Sequence, residues 1–300
     1  MTSINVYQMV TDRIIAQMQQ GVIPWRKPWH SINNDNPEQV AVSHETGRPY
    51  SLLNQFLVGG PGEYISFGQI QKQGGRIRKG EKSRMVVFWT QLVKEDYDDL
   101  DTLGKPKKKV IPYLKYYNVW NIDQCEGIIA RWTKTADATA EPTVKPAEAA
   151  EAFVAGYLAQ PSHPKLTLMA GDRAFYQPSA DEVVVPPLAQ YDSADEYYST
   201  LFHELGHSTG HKDRLNRKGI ADITFFGDHE YSKEELVAEI TAAMLVAQAG
   251  LAAERAFKNS VAYLQSWLRA LKDDPMMIVW AAGKAEAAAR YILGESKPEG

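Results

Sequence analysis

The sequence predicts an α+β protein made of two domains, a mixed N-terminal one and a helix-rich C-terminal one. Three observations carry that expectation. The chain is 300 residues long, more than one ordinary domain needs. A stretch of Ala, Thr, Glu and Pro over residues 133–150 has Val144 as its one large apolar residue, so it reads as a linker. The pattern also changes across it, from strand and helix before to mainly helix after. Domains are therefore expected over 1–132 and 148–300, joined by 133–147.

Apolar residues between Ile4 and Met18 recur near helical spacing and predict an opening helix. Two prolines in GVIPWRKPWH then end regular structure. SRMVVFWTQLV is apolar and β-branched and reads as a strand, bounded by the acidic run EDYDDLD. A polar loop holding Lys107, Lys108 and Lys109 should follow, with YLKYYNVWNI as the partner strand. Beyond the linker a helix is expected from about 147 to 159, then short strands at LTLMAG and DEVVVPP. ADEYYSTLFHELGHSTGH has the helical pattern Tyr197, Tyr198, Leu201, Phe202, Leu205. SKEELVAEITAAMLVAQAG predicts another helix, opened by Ser-x-x-Glu and stopped by Gly250. Residues 254–272 and 275–293 predict two more.

Composition narrows the function classes. Hydrophobic residues make up 44% and charged residues 23%, a globular balance rather than a disordered or fibrous one. Cys125, the single cysteine, can make no internal disulfide, which fits a reducing cytoplasm. Asp12 and Arg13 interrupt the apolar pattern of the first helix, so no signal peptide is expected there. No run of 18 apolar residues occurs, and no membrane partner is expected. The net charge of −4 hides an asymmetry: residues 1–132 carry +4 and the remainder −8, and five of seven tryptophans lie in the first part. That pattern points to a polyanion partner for the N-terminal half.

His203-Glu204-Leu205-Gly206-His207 is the HExxH pattern inside a predicted helix. Spacing of i and i+4 puts both imidazoles on one face, about 6 Å apart at the backbone, where they can share one ion. Glu204 falls on the adjacent edge, placed to accept a proton from a water at the metal. Zinc needs a third protein ligand, and three carboxylates compete. Glu235 on the next helix is favoured, with Glu239 one turn on to orient a ligand histidine. Ser232-x-x-Glu235 is also a capping box, which would turn Glu235 back to its own backbone. Glu239 itself is the second candidate. Asp213 is the third, because HELGHSTGHKD fits HExxHxxGxxD, whereas His211 falls one residue out of line. Tyr231 is a candidate oxyanion partner. The chemistry of such a site is peptide hydrolysis with Zn2+, although a His/His/carboxylate set also accepts ions such as Mn2+.

In the basic half, Trp25, Arg26, Lys27 and Trp29 place two aromatics around two cations, a pattern suited to stacking bases and neutralising phosphates. Arg76, Arg78, Lys79 and Lys82 form a second cluster at a glycine-rich turn, which lacks the P-loop pattern. For both groups the competing reading is structural: core tryptophans and a solvated turn.

Six stretches in order, GVIPWRKPW, GRPYSLLN, ISFGQIQKQGGRIRKGEKSRMVVFW, YYNVWNIDQ, FHELGHSTGHKDRLNR and FGDHEYSKEELVAEI, give the chain a further reading. It resembles the ArdC family of plasmid antirestriction proteins, whose N-terminal part is similar to that of TraC-type primases. The resemblance implies an N-terminal domain binding single-stranded DNA and a C-terminal zincin-like metallopeptidase domain. It implies protection of incoming conjugative plasmid DNA from host restriction. It favours His203, His207 and a glutamate of EELVAE as metal ligands with Glu204 catalytic, and does not need Asp213. The peptidase would act on a host restriction component or another DNA-bound protein; alternatively the metal is structural and the protein acts by occupying DNA.

Overall fold

The structure, a computed structural model, describes residues 5–26, 40–100, 106–132, 145–217, 220, 229–252 and 260–295. Helix α1 (Val6–Gln19) starts where the Asn5 side chain accepts hydrogen bonds from the Tyr7 and Gln8 amides. Its buried residues Val6, Val10, Ile14 and Met18 recur every four positions and form one stripe toward the core. A single 3-10 turn, Pro24–Arg26, follows.

The N-terminal half then builds a four-stranded sheet. Strands β1 (Ala41–Ser43), β2 (Gly62–Ser66), β4 (Arg84–Leu100) and β5 (Pro106–Asn121) lie in the order β1-β2-β5-β4. The β1 and β2 strands run parallel; the other pairs are antiparallel. Helices α2 (Leu52–Val58) and α3 (Phe67–Lys72) flank it, and a two-stranded ribbon joins β3 (Arg76–Ile77) to β6 (Cys125–Glu126). On the outer edge of β4, the Asn54 side chain bonds both backbone groups of Val87, each at 2.8 Å.

The β4–β5 hairpin is longer than the sequence pattern indicates. Strand β4 continues through the acidic run to Leu100, and Lys107, Lys108 and Lys109 belong to β5 rather than to a loop. The register explains this, since Glu95 stands opposite Lys108, and opposite charges across a ladder favour pairing. The partnership of the two expected strands is as read.

The C-terminal half holds α4 (Pro146–Leu158), a small sheet, and α5 (Ala194–Ser208). In that sheet β7 (Lys165–Leu168) runs parallel to β9 (Glu182–Val185), and β8 (Phe175–Gln177), which the pattern did not reveal, pairs antiparallel on the other side. Three further helices are α6 (His229–Ala249), α7 (Ser260–Asp273) and α8 (Met277–Ile292). Gly250, at φ +73°, ends α6 as expected. Helix α6 begins at His229, however, so Ser232 lies inside the helix and Glu235 is not the partner of an N-cap there. No helix among the described residues is long and apolar enough to cross a membrane.

One hydrophobic core runs through both halves. It includes Ile14, Phe56 and Met85 from the first and Phe202, Leu236 and Ile278 from the second. Polar contacts cross as well: the Thr11 hydroxyl donates to the Pro275 carbonyl at 2.7 Å, and the Leu52 amide to Glu286 at 3.1 Å. Residues 133–144 of the expected linker lie outside the described set.

Candidate metal centre

Helix α5 carries His203, Glu204 and His207. Ser193 caps it, accepting from the Glu196 amide at 3.2 Å, and Asp195 and Glu196 complement the dipole of its first turn. Tyr197, Leu201, Phe202 and Leu205 sink into the core. Gly206 permits a close crossing with α6: a Cβ there would stand 3.3 Å from both Ala238 Cα and Thr241 Cβ. That approach brings Glu235 to the two imidazoles.

His203 Nε2 and His207 Nε2 face each other at 3.1 Å, with the rings 79° apart. Glu235 lies 3.5 Å from the first and 3.3 Å from the second. The ligand atoms of these three residues all fall within 4.8 Å of one another, the one such group among the described residues. Two imidazole nitrogens and a carboxylate oxygen converging in this way suit zinc, leaving a fourth tetrahedral position for water or substrate. Electrostatics agree. Burial disfavours a charged ring at both histidines, yet Glu235 outweighs it at His203, whose pKa is raised. At His207 the carboxylates of Glu234 and Glu235 push it up to about 10 against the same burial. Burial would raise Glu235 too, but the two rings hold it well below the usual carboxylate range. The cluster creates a potential that favours a cation. Glu204 is almost fully buried beside it on α5.

The other carboxylates are placed elsewhere. Asp213 lies beyond the end of α5, 64% exposed and within 3.5 Å of His211, so it is outside the cluster. Glu239 is held by Arg26, whose Nε donates to it at 3.1 Å, and it is neither a member of the cluster nor the group behind a ligand histidine. Glu234 has the latter place, 3.9 Å from His207 Nδ1 and fully buried. The sequence reading missed it. Adjacent helical residues point about 100° apart, so if Glu235 faces α5 from one side, Glu234 turns beneath it.

Arg217 was missed as well. It is buried, donates from Nε to Glu234 at 2.9 Å and from Nη2 to the Gly206 carbonyl at 2.8 Å, and so closes the C-terminal end of α5 with a cation. Arg214 does the same from the other side, bonding the Ser208 carbonyl at 2.8 Å and pairing with Asp181. The signal for both was the RLNR segment just after the helix, where cations suit orphaned carbonyls. Tyr231 is on α6, and its side chain lies outside the described residues.

Of the expected DNA-binding residues, Trp25 is 1% exposed and packs its ring 6.4 Å from Phe56. It is a core residue and offers no stacking surface. Arg26 is spent on Glu239. Lys27 and Trp29 lie outside the described residues. Arg76 is exposed on β3 and paired to Glu126, and Arg78, Lys79 and Lys82 are exposed in the segment that follows it, with Arg78 donating to the Asp123 carbonyl.

Known proteins are similar to this chain. A family model for the N-terminal domain of anti-restriction factor ArdC matches residues 4–120, and one for a zincin-like metallopeptidase matches residues 148–284. The metal-free crystal structure of antirestriction protein ArdC from plasmid R388 is 35% identical with a TM-score of 0.67, covering 98% of this chain and 100% of that one. This chain belongs to the ArdC family. The Mn(II)-bound structure of the same R388 protein is 34% identical, also with a TM-score of 0.67, covering 97% and 98% of the two chains. A DNA primase TraC of Escherichia coli is 32% identical over 96% of this chain, which spans 20% of that primase's length. An uncharacterized protein y4eC of Sinorhizobium fredii is 31% identical over 97% of this chain and 92% of its own. The zincin-like domain of the ArdC family implies zinc, and His203, His207 and Glu235 are a donor set that fits it.

Proposed function

We propose that this ArdC-family chain is an antirestriction protein that binds single-stranded DNA, protects incoming conjugative plasmid DNA, and hydrolyses a peptide bond with Glu204 as general base. The observation that carries the catalytic part is the convergence of His203, His207 and Glu235 beside the buried Glu204. Zinc held by those three residues supplies a Lewis acid for the scissile carbonyl and lowers the pKa of a water. The Glu204 carboxylate takes the proton of the attacking water as the oxygen–carbon bond forms, then delivers it to the leaving nitrogen as the carbon–nitrogen bond breaks. Glu234 and Arg217 hold His207 and the end of α5 in place while this happens. The likeness to R388 ArdC and to TraC primase supports the DNA and antirestriction parts. A host restriction component or another DNA-bound protein is the substrate this pairing of activities suits.

Glu204→Gln tests the reading. In zinc-loaded protein, with and without oligonucleotide, the variant should keep its zinc and its DNA affinity and lose cleavage of candidate host proteins by at least about 100-fold. Cleavage that survives in Glu204→Gln would overturn the assignment. Plasmid protection undiminished in the variant would separate antirestriction from hydrolysis.

A further inference from the structure

The β4–β5 hairpin has two unlike faces. Side chains alternate along each strand, and residues directly opposite share a face. The register therefore puts Met85, Val87, Trp89, Leu114 and Tyr116 on one side. That side is covered at its base, where Met85, Val87 and Leu114 belong to the main core. Further out the Trp89 ring stands 6.4 Å from Tyr7 of α1 but is 57% exposed, and Val93 and Val110 beyond it are exposed apolar residues without a cation among them. The other side carries Val86 and Val119 at its base, under a small cluster with Tyr50 and Tyr64. Beyond that cluster it opens to solvent. Phe88 is 42%, Tyr113 47% and Tyr117 40% exposed, and Phe88 and Tyr117 meet edge to face at 5.6 Å.

Charge, more than exposure, separates the two faces along this stretch. Over positions 84–94 and 109–119 the open face bears Arg84, Lys94, Lys109 and Lys115 and no acidic residue, and the opposite face bears no charged residue. Farther out each face has one matched pair of register positions, Asp96 with Lys107 on the open face and Glu95 with Lys108 on the other. Lys115 stands directly across from Phe88, between Tyr113 and Tyr117 along β5. Same-face positions recur about every 6.6 Å along a strand, so aromatic rings and cations alternate over a rigid, extended track. Rings stack bases of any sequence, and ammonium groups neutralise the phosphates between them. An apolar partner would leave the cations unmatched, and a duplex would hide its bases from the rings.

We propose that this open face of the β4–β5 hairpin, with Phe88, Tyr113 and Tyr117 as stacking groups and Lys115 as a phosphate contact, is the surface that holds single-stranded nucleic acid. It rests on the single-strand reading above and replaces Trp25 and Arg26, which the fold consumes elsewhere. The side chains concerned are exposed, so they can be changed without touching the core.

The test is fluorescence anisotropy of a labelled oligo(dT) over a salt series, using full-length protein. Phe88→Ala with Tyr113→Ala should weaken binding at least about tenfold, with the salt slope kept. Lys115→Gln should reduce the slope of log affinity against log salt by about 0.7. Trp89→Ala, which removes an exposed ring on the uncharged stretch of the opposite face, should bind as wild type does. If wild type binds and the Phe88/Tyr113 pair binds within twofold of it at an unchanged unfolding temperature, the face is wrong while single-strand binding stands. If wild type itself fails to bind oligo(dT), both fall. Equal binding of duplex and single strand by all variants would also overturn the stacking assignment.

Discussion

Glu234 and Arg217 form a buried ion pair directly behind a metal-site histidine, which makes each partner intolerant of losing the other. Arg217→Met removes the guanidinium and leaves the Glu234 carboxylate buried, a loss of about 3–5 kcal/mol. Because Glu234 also faces His207 Nδ1, zinc affinity should fall about 10- to 100-fold. Urea unfolding and competition against a chelating dye measure the two effects, and an unchanged midpoint would deny the pair its role. Asp181 behaves differently because it titrates. Burial would raise its pKa, but hydrogen bonds from Arg214 and Tyr176 outweigh that and lower it. A carboxylate with a depressed folded pKa contributes stability that is complete above its unfolded value of about 3.9 and is lost as pH falls through the folded one. Wild-type melting temperature should therefore fall with pH below about 4, and Asp181→Asn should lose less over the same interval. At this scale the sequence was most legible where chemistry is local. His203, Glu204 and His207 share one helix, so their spacing alone places them side by side. Trp25 was misread because PWRKPW shows no inward side; Phe56, 31 positions on, decides it.

Helices α5 and α6 make the site by their distance of approach, and Gly206 sets that distance. A methyl group at Gly206 meets the Ala238 Cα and the Thr241 Cβ, both fixed to the helix backbone and unable to swing aside. Gly206→Ala should cost about 1–3 kcal/mol despite the better helix propensity of alanine. It should also weaken zinc binding, since it moves Glu235 away from both histidines. Denaturant melts and zinc titration of the same variant check this; a stabilised protein with intact zinc affinity would show that the helices give way freely. Helix α6 also shows why element boundaries were less legible than element types. Ser-x-x-Glu is a good start signal, but here the helix already runs through it from His229. The acidic run after SRMVVFWTQLV looked like a terminator for the same reason. A polar strand is stable when its partner supplies the opposite charge, and that partner is the next strand in the chain.

The two halves share one core, so the whole molecule should unfold in a single step. Calorimetry of the full chain should show one transition, raised as a unit by zinc, and residues 148–300 expressed alone should show no cooperative transition. Two resolved transitions would mean the halves are independent. Nothing in the local pattern could reveal this union, because it depends on contacts such as Thr11 with Pro275 and Arg26 with Glu239, more than 200 residues apart in sequence. The TraC match, which runs across 96% of this chain, is consistent with the two halves travelling together inside larger proteins. Asn54 matters to the molecule in a crowd. A long edge strand is a template on which a neighbour's backbone can register and begin a fibre. With the Val87 amide and carbonyl already taken by an internal amide, an incoming strand finds that rung of the ladder filled. The edge resists polymer growth where it meets the core, which helps the protein stay dispersed at high concentration.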